Sequence, residues 1–93
     1  MKKTIYLVYD IPSAGAVGDW YQTNPTFDRD EAVKAARGAL QYLTDTEKSR
    51  RDIYVGVHTV DVPEDDTRTA AEIYRTMLEE DTWSDDHDVI NIK

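Results

Sequence analysis

The sequence predicts an α+β domain: a two-layer sandwich of about four strands in a mixed sheet, with two helices packed on one face. Two observations carry that expectation. Segments rich in β-branched and aromatic residues alternate with segments of helical period, and Pro, Gly and Asn punctuate them. The resulting order is β-β-α-β-α-β. A chain of 93 residues fits one domain, 1–93.

Residues 4–9 (Thr-Ile-Tyr-Leu-Val-Tyr) read as a strand, and residues 10–15 carry turn chemistry in Pro12 and Gly15. Residues 17–23, with Trp20 and Tyr21, return as a second strand of a hairpin, and Asn24-Pro25 ends it. Asp28 is a good helix N-cap, and Glu31 stands three residues on, where its carboxylate can reach back to the cap. Ala32, Val33, Ala36, Leu40 and Leu43 then share one helical face. Gly38 inside this helix suggests a close approach of helix to sheet. Residues 45–51 read as a polar loop, and 52–62 as a long strand that Pro63 stops. Asp66 or Thr67 is expected to cap a second helix running to about residue 81, with Ala70, Ile73, Tyr74, Met77 and Leu78 as its apolar stripe. A loop with Trp83 precedes a short final strand at 89–92.

Alternation along the strands suggests Ile5, Leu7, Ile53, Val55, Val57, Ile90 and Ile92 inward under the helices. Tyr6, Val8, Tyr54, Gly56, His58, Val60 and Val89 then form the other face. That second face is not polar, so either the Trp83 loop folds over it or it is a contact surface.

The charge is unevenly placed. Residues 1–60 carry eight acidic and eight basic side chains, whereas 61–88 carry eleven acidic and two basic, in a chain of net charge −8. A clustered negative field attracts basic surfaces and repels nucleic acid and anionic lipid. With no Cys there is no disulfide, thiolate metal site or thiol nucleophile. The apolar run after Lys2 and Lys3 is closed by Asp10, short of the roughly 7–15 residues of a secretory core. No stretch approaches the ~20 apolar residues of a membrane span, so the expected location is cytoplasmic.

Chemical signatures are absent: no nucleophile elbow, phosphate-binding loop, dinucleotide fingerprint or zincin motif occurs. His58 on a strand reads as structural. Asp85-Asp86-His87-Asp88 puts carboxylates around an imidazole, and a small metal- or ligand-binding enzyme using Asp86, His87 and Asp88 is the outside alternative. Four adjacent loop residues, however, do not define a coordination geometry. Asp28-x-Asp30 lacks the Gly and Glu of a calcium loop and reads as helix capping. A Tyr6/Tyr54 pair on an exposed sheet could stack bases, but the acidic field opposes phosphate contacts.

The expectation is therefore a non-enzymatic protein-interaction module with no cofactor or metal, no membrane contact and no direct nucleic-acid contact. Its favoured form is a small acidic inhibitor whose segment 61–88 binds a basic, nucleic-acid-handling protein. The expected contact residues are Asp61, Glu64, Asp65, Asp66, Glu79, Glu80, Asp81, Asp85, Asp86 and Asp88, with Tyr6, Tyr54 and Trp83. The alternative is a homodimeric accessory domain without intrinsic activity, joined through the outer sheet face.

Overall fold

The computed structural model describes residues 1–92. Its elements are β1 (Lys2–Pro12), β2 (Tyr21–Thr26), α1 (Arg29–Gln41), α2 (Asp45–Lys48), β3 (Arg51–Asp61), α3 (Ala70–Glu79) and β4 (Asp88–Ile90). The four strands form one sheet in the order β2-β1-β3-β4. Every neighbouring pair is antiparallel, which corrects the expectation of a mixed sheet. The α+β class stands.

The helices also do not share a face. Directly paired residues of an antiparallel ladder point to the same side. Ile5 pairs with His58 and Lys3 with Val60, so Ile5, His58 and Val60 share one side; Val8 pairs with Val55 and Asp10 with Ile53, on the other. Helix α1 packs Ala32 and Ala36 on Val8, Ile53 and Val55, with Ile92 closing that core. Helix α3 packs Ala70 and Ile73 on Ile5, Val60 and Val62, on the opposite face. The expected face sets were thus mixed: Ile5 and Leu7 belong with Tyr54, Gly56 and His58, and Tyr6 and Val8 belong with Ile53, Val55 and Val57. The physical reason is that β1 and β3 are central strands. Ile5, Leu7 and Val8 are all fully or nearly fully buried, so neither parity of β1 meets water.

Four local corrections follow from cap and turn chemistry. β2 lies at 21–26 rather than 17–23, and Asn24-Pro25 sits inside it. The β1–β2 register jumps between Tyr6↔Thr26 and Val8↔Thr23, a bulge in which Asn24 takes φ 54°. Pro25 is tolerated because β2 is an edge strand. Asp45–Lys48 form one helical turn, α2, capped by Thr44 through a reciprocal Thr44–Glu47 capping box. α3 starts at Ala70, because Thr69 and Glu72 form the same box; Asp66 is engaged elsewhere. At α1, Asp28 caps as expected, accepting from the Asp30 and Glu31 amides, but Glu31 accepts from Thr26 Oγ1 instead of reaching back to the cap.

The hairpin loop is fastened to the sheet end by Arg51. Its Nε donates to Asp10 Oδ1 at 2.5 Å, and its terminal nitrogen donates to the carbonyls of Asp10 and Asp19 at 2.9 and 2.7 Å. Its guanidinium also lies 5.5 Å from the Tyr21 ring centre.

Gly38 makes no close approach: a Cβ there would meet nothing within 4 Å. Gly38→Ala should therefore stabilise the protein by about 0.5–1 kcal/mol, through helix propensity alone. Urea unfolding of the two proteins checks this; an unchanged or lower midpoint contradicts the open environment.

Candidate functional site

The second sheet face carries a set of six rings. Tyr9 stacks on Tyr54 with ring centres 5.0 Å apart, and on His87 at 4.6 Å. His58 lies 4.5 Å from Trp83 and 4.9 Å from His87. Trp83 meets Tyr74 of α3 edge-on at 4.7 Å. The six rings come from four elements: Tyr9 from β1, Tyr54 and His58 from β3, Tyr74 from α3, and Trp83 and His87 from the loop before β4.

Gly56 makes this stacking possible. A Cβ at Gly56 would collide with Tyr9 Cε2, and would stand 2.9 Å from Tyr9 Cδ2 and 3.1 Å from His87 Cδ2. The bare backbone of β3 is thus the floor on which two rings lie. The loop is held by side-chain contacts as well as stacking. His87 Nδ1 is 2.6 Å from the Asp85 carbonyl, and its Nε2 is 3.4 Å from the Tyr54 hydroxyl. Tyr74 donates to Gln22 Oε1 at 3.0 Å, tying α3 to β2.

His58 is 2% exposed and its Nε2 lies 2.7 Å from the Tyr9 hydroxyl. Burial pushes the Tyr9 phenol far above its ordinary range, helped by Tyr54, Tyr74 and Asp85 nearby, so the hydroxyl keeps its proton. It shares one buried hydrogen bond with Nε2, as donor or acceptor according to the imidazole tautomer, and the ring's other nitrogen is Nδ1. That nitrogen makes no hydrogen bond within ordinary limits, and neither does the buried Trp83 Nε1. Burial holds His58 below the ordinary imidazole range and His87 adds to this; the Ser84 carbonyl and the Asp85 charge oppose it.

The anticipated contact residues divide. Glu64, Asp65, Glu79, Glu80, Asp81, Asp85, Asp86 and Asp88 are exposed, and among the described residues no ion pair reaches them. Asp61 is exposed and 3.8 Å from an equally exposed Lys2, its ion-pair partner. Asp66 differs: its carboxylate is gripped by the Arg68 guanidinium at 2.5 to 3.1 Å and held down to about 2 in pKa. Its charge is cancelled locally and leaves the anionic set. Tyr6 packs under α1, on the opposite face from Tyr54, so the imagined base-stacking pair does not exist. Trp83 and Tyr54 are ring-cluster residues with half-buried surfaces.

At the end of α3, Asp81 takes φ 55° while its amide donates to Leu78 and the Thr82 amide to Met77. This pattern caps the last carbonyls with backbone donors, so three consecutive acids there impose no unsatisfied groups.

A cleft of about 680 Å³ opens between the loop and β3. Residues 57–61 of β3 line it together with Met77, Trp83 and Ser84, and with Asp86, His87 and Asp88. Sequence reasoning missed this cleft and the partnership of His58 with His87. The clue available was the co-occurrence of Gly56 with Tyr54 and His58 on a strand with no polar face. Among the described residues, no three His, Asp or Glu side chains are grouped so as to hold a metal ion, and no helix is long and apolar enough to cross a membrane.

Comparison with protein-family models, curated proteins and solved structures finds no match for this chain.

Two outcomes follow from the ring cluster. Gly56→Ala should cost about 1–3 kcal/mol, because the Tyr9 and His87 rings cannot yield as a flexible chain end would; a urea midpoint equal to wild type contradicts the stacking. For His58, the folded pKa lies below the unfolded 6.5, so its contribution to stability is complete above pH 6.5 and declines as pH falls below it. Urea midpoints measured from pH 8 to 5 should fall with acid. That slope should flatten in His58→Phe, whatever the variant's absolute stability.

Proposed function

We propose that this protein is a non-enzymatic acidic interaction module, whose segment 61–88 engages a basic surface of a nucleic-acid-handling protein and competes for it with nucleic acid. One observation carries the reading: the eight exposed carboxylates without ion pairs among the described residues, on the turn after β3, the end of α3 and the loop to β4. Other acids are put to structural use, Asp10, Asp28 and Glu47 before this segment and Asp66 and Glu72 within it. The unused ones are concentrated where the net charge is. A second support is that Asp61, Asp86 and Asp88 line one cleft, so part of the field converges.

The homodimer reading needs an open apolar sheet face. Tyr54, Gly56 and His58 lie beneath Tyr9, His87 and Trp83, and α1 covers the other face, so no observation favours it.

Immobilised protein should retain a basic protein from a lysate of its own cells. A rising salt gradient should release that protein, because exposed charges are screened with a Debye length of about 10 Å at 0.1 M. The retained protein should lose affinity for nucleic acid when the chain is added. Neutralising Glu79, Glu80 and Asp81 together, as Gln, Gln and Asn, should weaken the complex several-fold to about a hundredfold at low salt, at ~0.2–1 kcal/mol per exposed charge. Asn accepts the left-handed backbone at 81. Retention indifferent to salt, or a captured protein that binds nucleic acid equally well with the chain present, overturns the proposal.

A further inference from the structure

We infer that the cleft beside β3 is a strand-addition site: it takes an extended, basic peptide segment that pairs with the free edge of β3 at Thr59 and Asp61. This rests on the acidic-module reading and names the form its partner takes.

The edge follows from the ladder. Met1 and Val62 exchange both backbone bonds, Val62 N–H to Met1 at 2.9 Å and the Met1 amine to Val62 at 3.0 Å. In an antiparallel pair, bonded and non-bonded positions alternate. Lys3↔Val60 and Ile5↔His58 are therefore bonded pairs, and the backbone groups of Val57, Thr59 and Asp61 point away from β1. On that outer side β4 pairs with β3 only at Val55, Gly56 and Val57. Thr59 and Asp61 thus present two N–H and two C=O groups with no strand beside them.

The reason is visible in the register. Continuing the pairing Val57↔Asp88 by two residues at a time would set Asp86 opposite Thr59 and Ser84 opposite Asp61. The chain instead leaves the edge at this point, because His87 and Trp83 are drawn onto the sheet face by Tyr9, His58 and Tyr74. The vacated lane is the cleft. Its lining confirms an edge-on approach: a cavity over a sheet face meets alternate residues, whereas this one meets five consecutive residues, 57–61.

The lane selects its occupant by charge. Asp61, Asp86 and Asp88 line it, and no Lys or Arg does. Its floor includes His58, whose Nδ1 makes no hydrogen bond within ordinary limits. An extended segment bonds through its main chain, and alternate side chains meet the walls. Lys or Arg at those positions meets the three carboxylates. An acidic or neutral strand lacks that attraction, and a helix cannot pair with an edge.

The test uses the full chain and a synthetic probe, acetyl-Lys-Thr-Lys-Val-Lys-Thr-amide, followed by amide NMR shifts. The expected result is saturable shifts at the Thr59 and Asp61 amides together with Asp86 and Asp88. N-methylating alternate amides of the probe keeps its charge and removes its donors, and should weaken binding about tenfold or more for two lost main-chain bonds. Thr59→Pro should act likewise and leave the fold intact, since the Thr59 N–H faces away from β1 and proline is accepted at an edge. Equal binding by the N-methylated probe overturns strand addition, even where Thr59→Pro fails to fold. If shifts spread instead over Glu79, Glu80 and Asp81 and vanish with salt, the edge proposal falls and the acidic-module reading survives. If the probe produces no shifts and no basic protein is retained at low salt, both fall.

Discussion

The arrangement of this protein turns on the packing of Tyr9 and His87 across the bare backbone of Gly56. A strand that is central and apolar on both sides must be covered on both sides. Helix α1 covers one face with small residues, Ala32 and Ala36, that let it sit close. Helix α3, ten residues long, reaches only part of the second face, where Ile5, Val60 and Val62 lie. The remainder, around Tyr9, Tyr54 and His58, is sealed by rings from the loop. Because those rings lie flat on β3, the residue beneath them can carry no side chain. The same docking holds the loop over the face rather than along the edge, so β4 is only three residues long.

Electrostatics separates the molecule along the same line. Where the chain turns tightly, an acid is consumed in the turn: Asp28, Glu47 and Glu72 accept or complete cap bonds, and Asp66 closes on Arg68. Opposite charge within hydrogen-bond distance is what holds Asp66 down to about 2. The 79–88 stretch has no such use for its carboxylates. The helix end is capped by main-chain donors through the left-handed Asp81, and the loop is anchored by aromatic contacts and the His87–Tyr54 hydrogen bond. A segment whose folding is managed by rings and backbone is free to carry charge on every remaining position. The charges then raise self-repulsion, which a partner of opposite sign relieves.

The elements were legible from the sequence, and the layers were not. Helical period and a cap at Asp28 locate α1 within a few residues, and Pro63 marks the end of β3. The placement of the helices failed because face was assigned strand by strand, with no cross-strand register. Ile5 and Ile53 look equivalent in sequence, yet Ile5 pairs with His58 and Ile53 with Asp10, on opposite sides. The apolar character of both parities in β1 already signalled two covered faces. β2 was misplaced because Asn24-Pro25 reads as a stop, whereas a bulge in an edge strand accommodates it. The acidic surface was legible as charge, except at Asp66, since local pairing with a residue two positions on is a matter of turn geometry. The ring cluster joins positions 9, 54, 58, 74, 83 and 87, and no local pattern connects them.

His58 joins these themes. It is the one polar or charged residue that is buried as a whole among the described residues, and burial beside a phenol that keeps its proton disfavours its charged form. A buried neutral hydrogen bond of this kind fixes one ring orientation among several apolar ones. The bond to Tyr9 joins β1 to β3 on the second face, and the contact with Trp83 carries the same constraint to the loop. A purely apolar residue at 58 would fill the volume without specifying the angle of Tyr9. The stack over Gly56 depends on that angle, and the loop's departure from the sheet edge depends on the stack. The open lane along Thr59 and Asp61 is therefore set by a hydrogen bond on the adjacent face of the same strand.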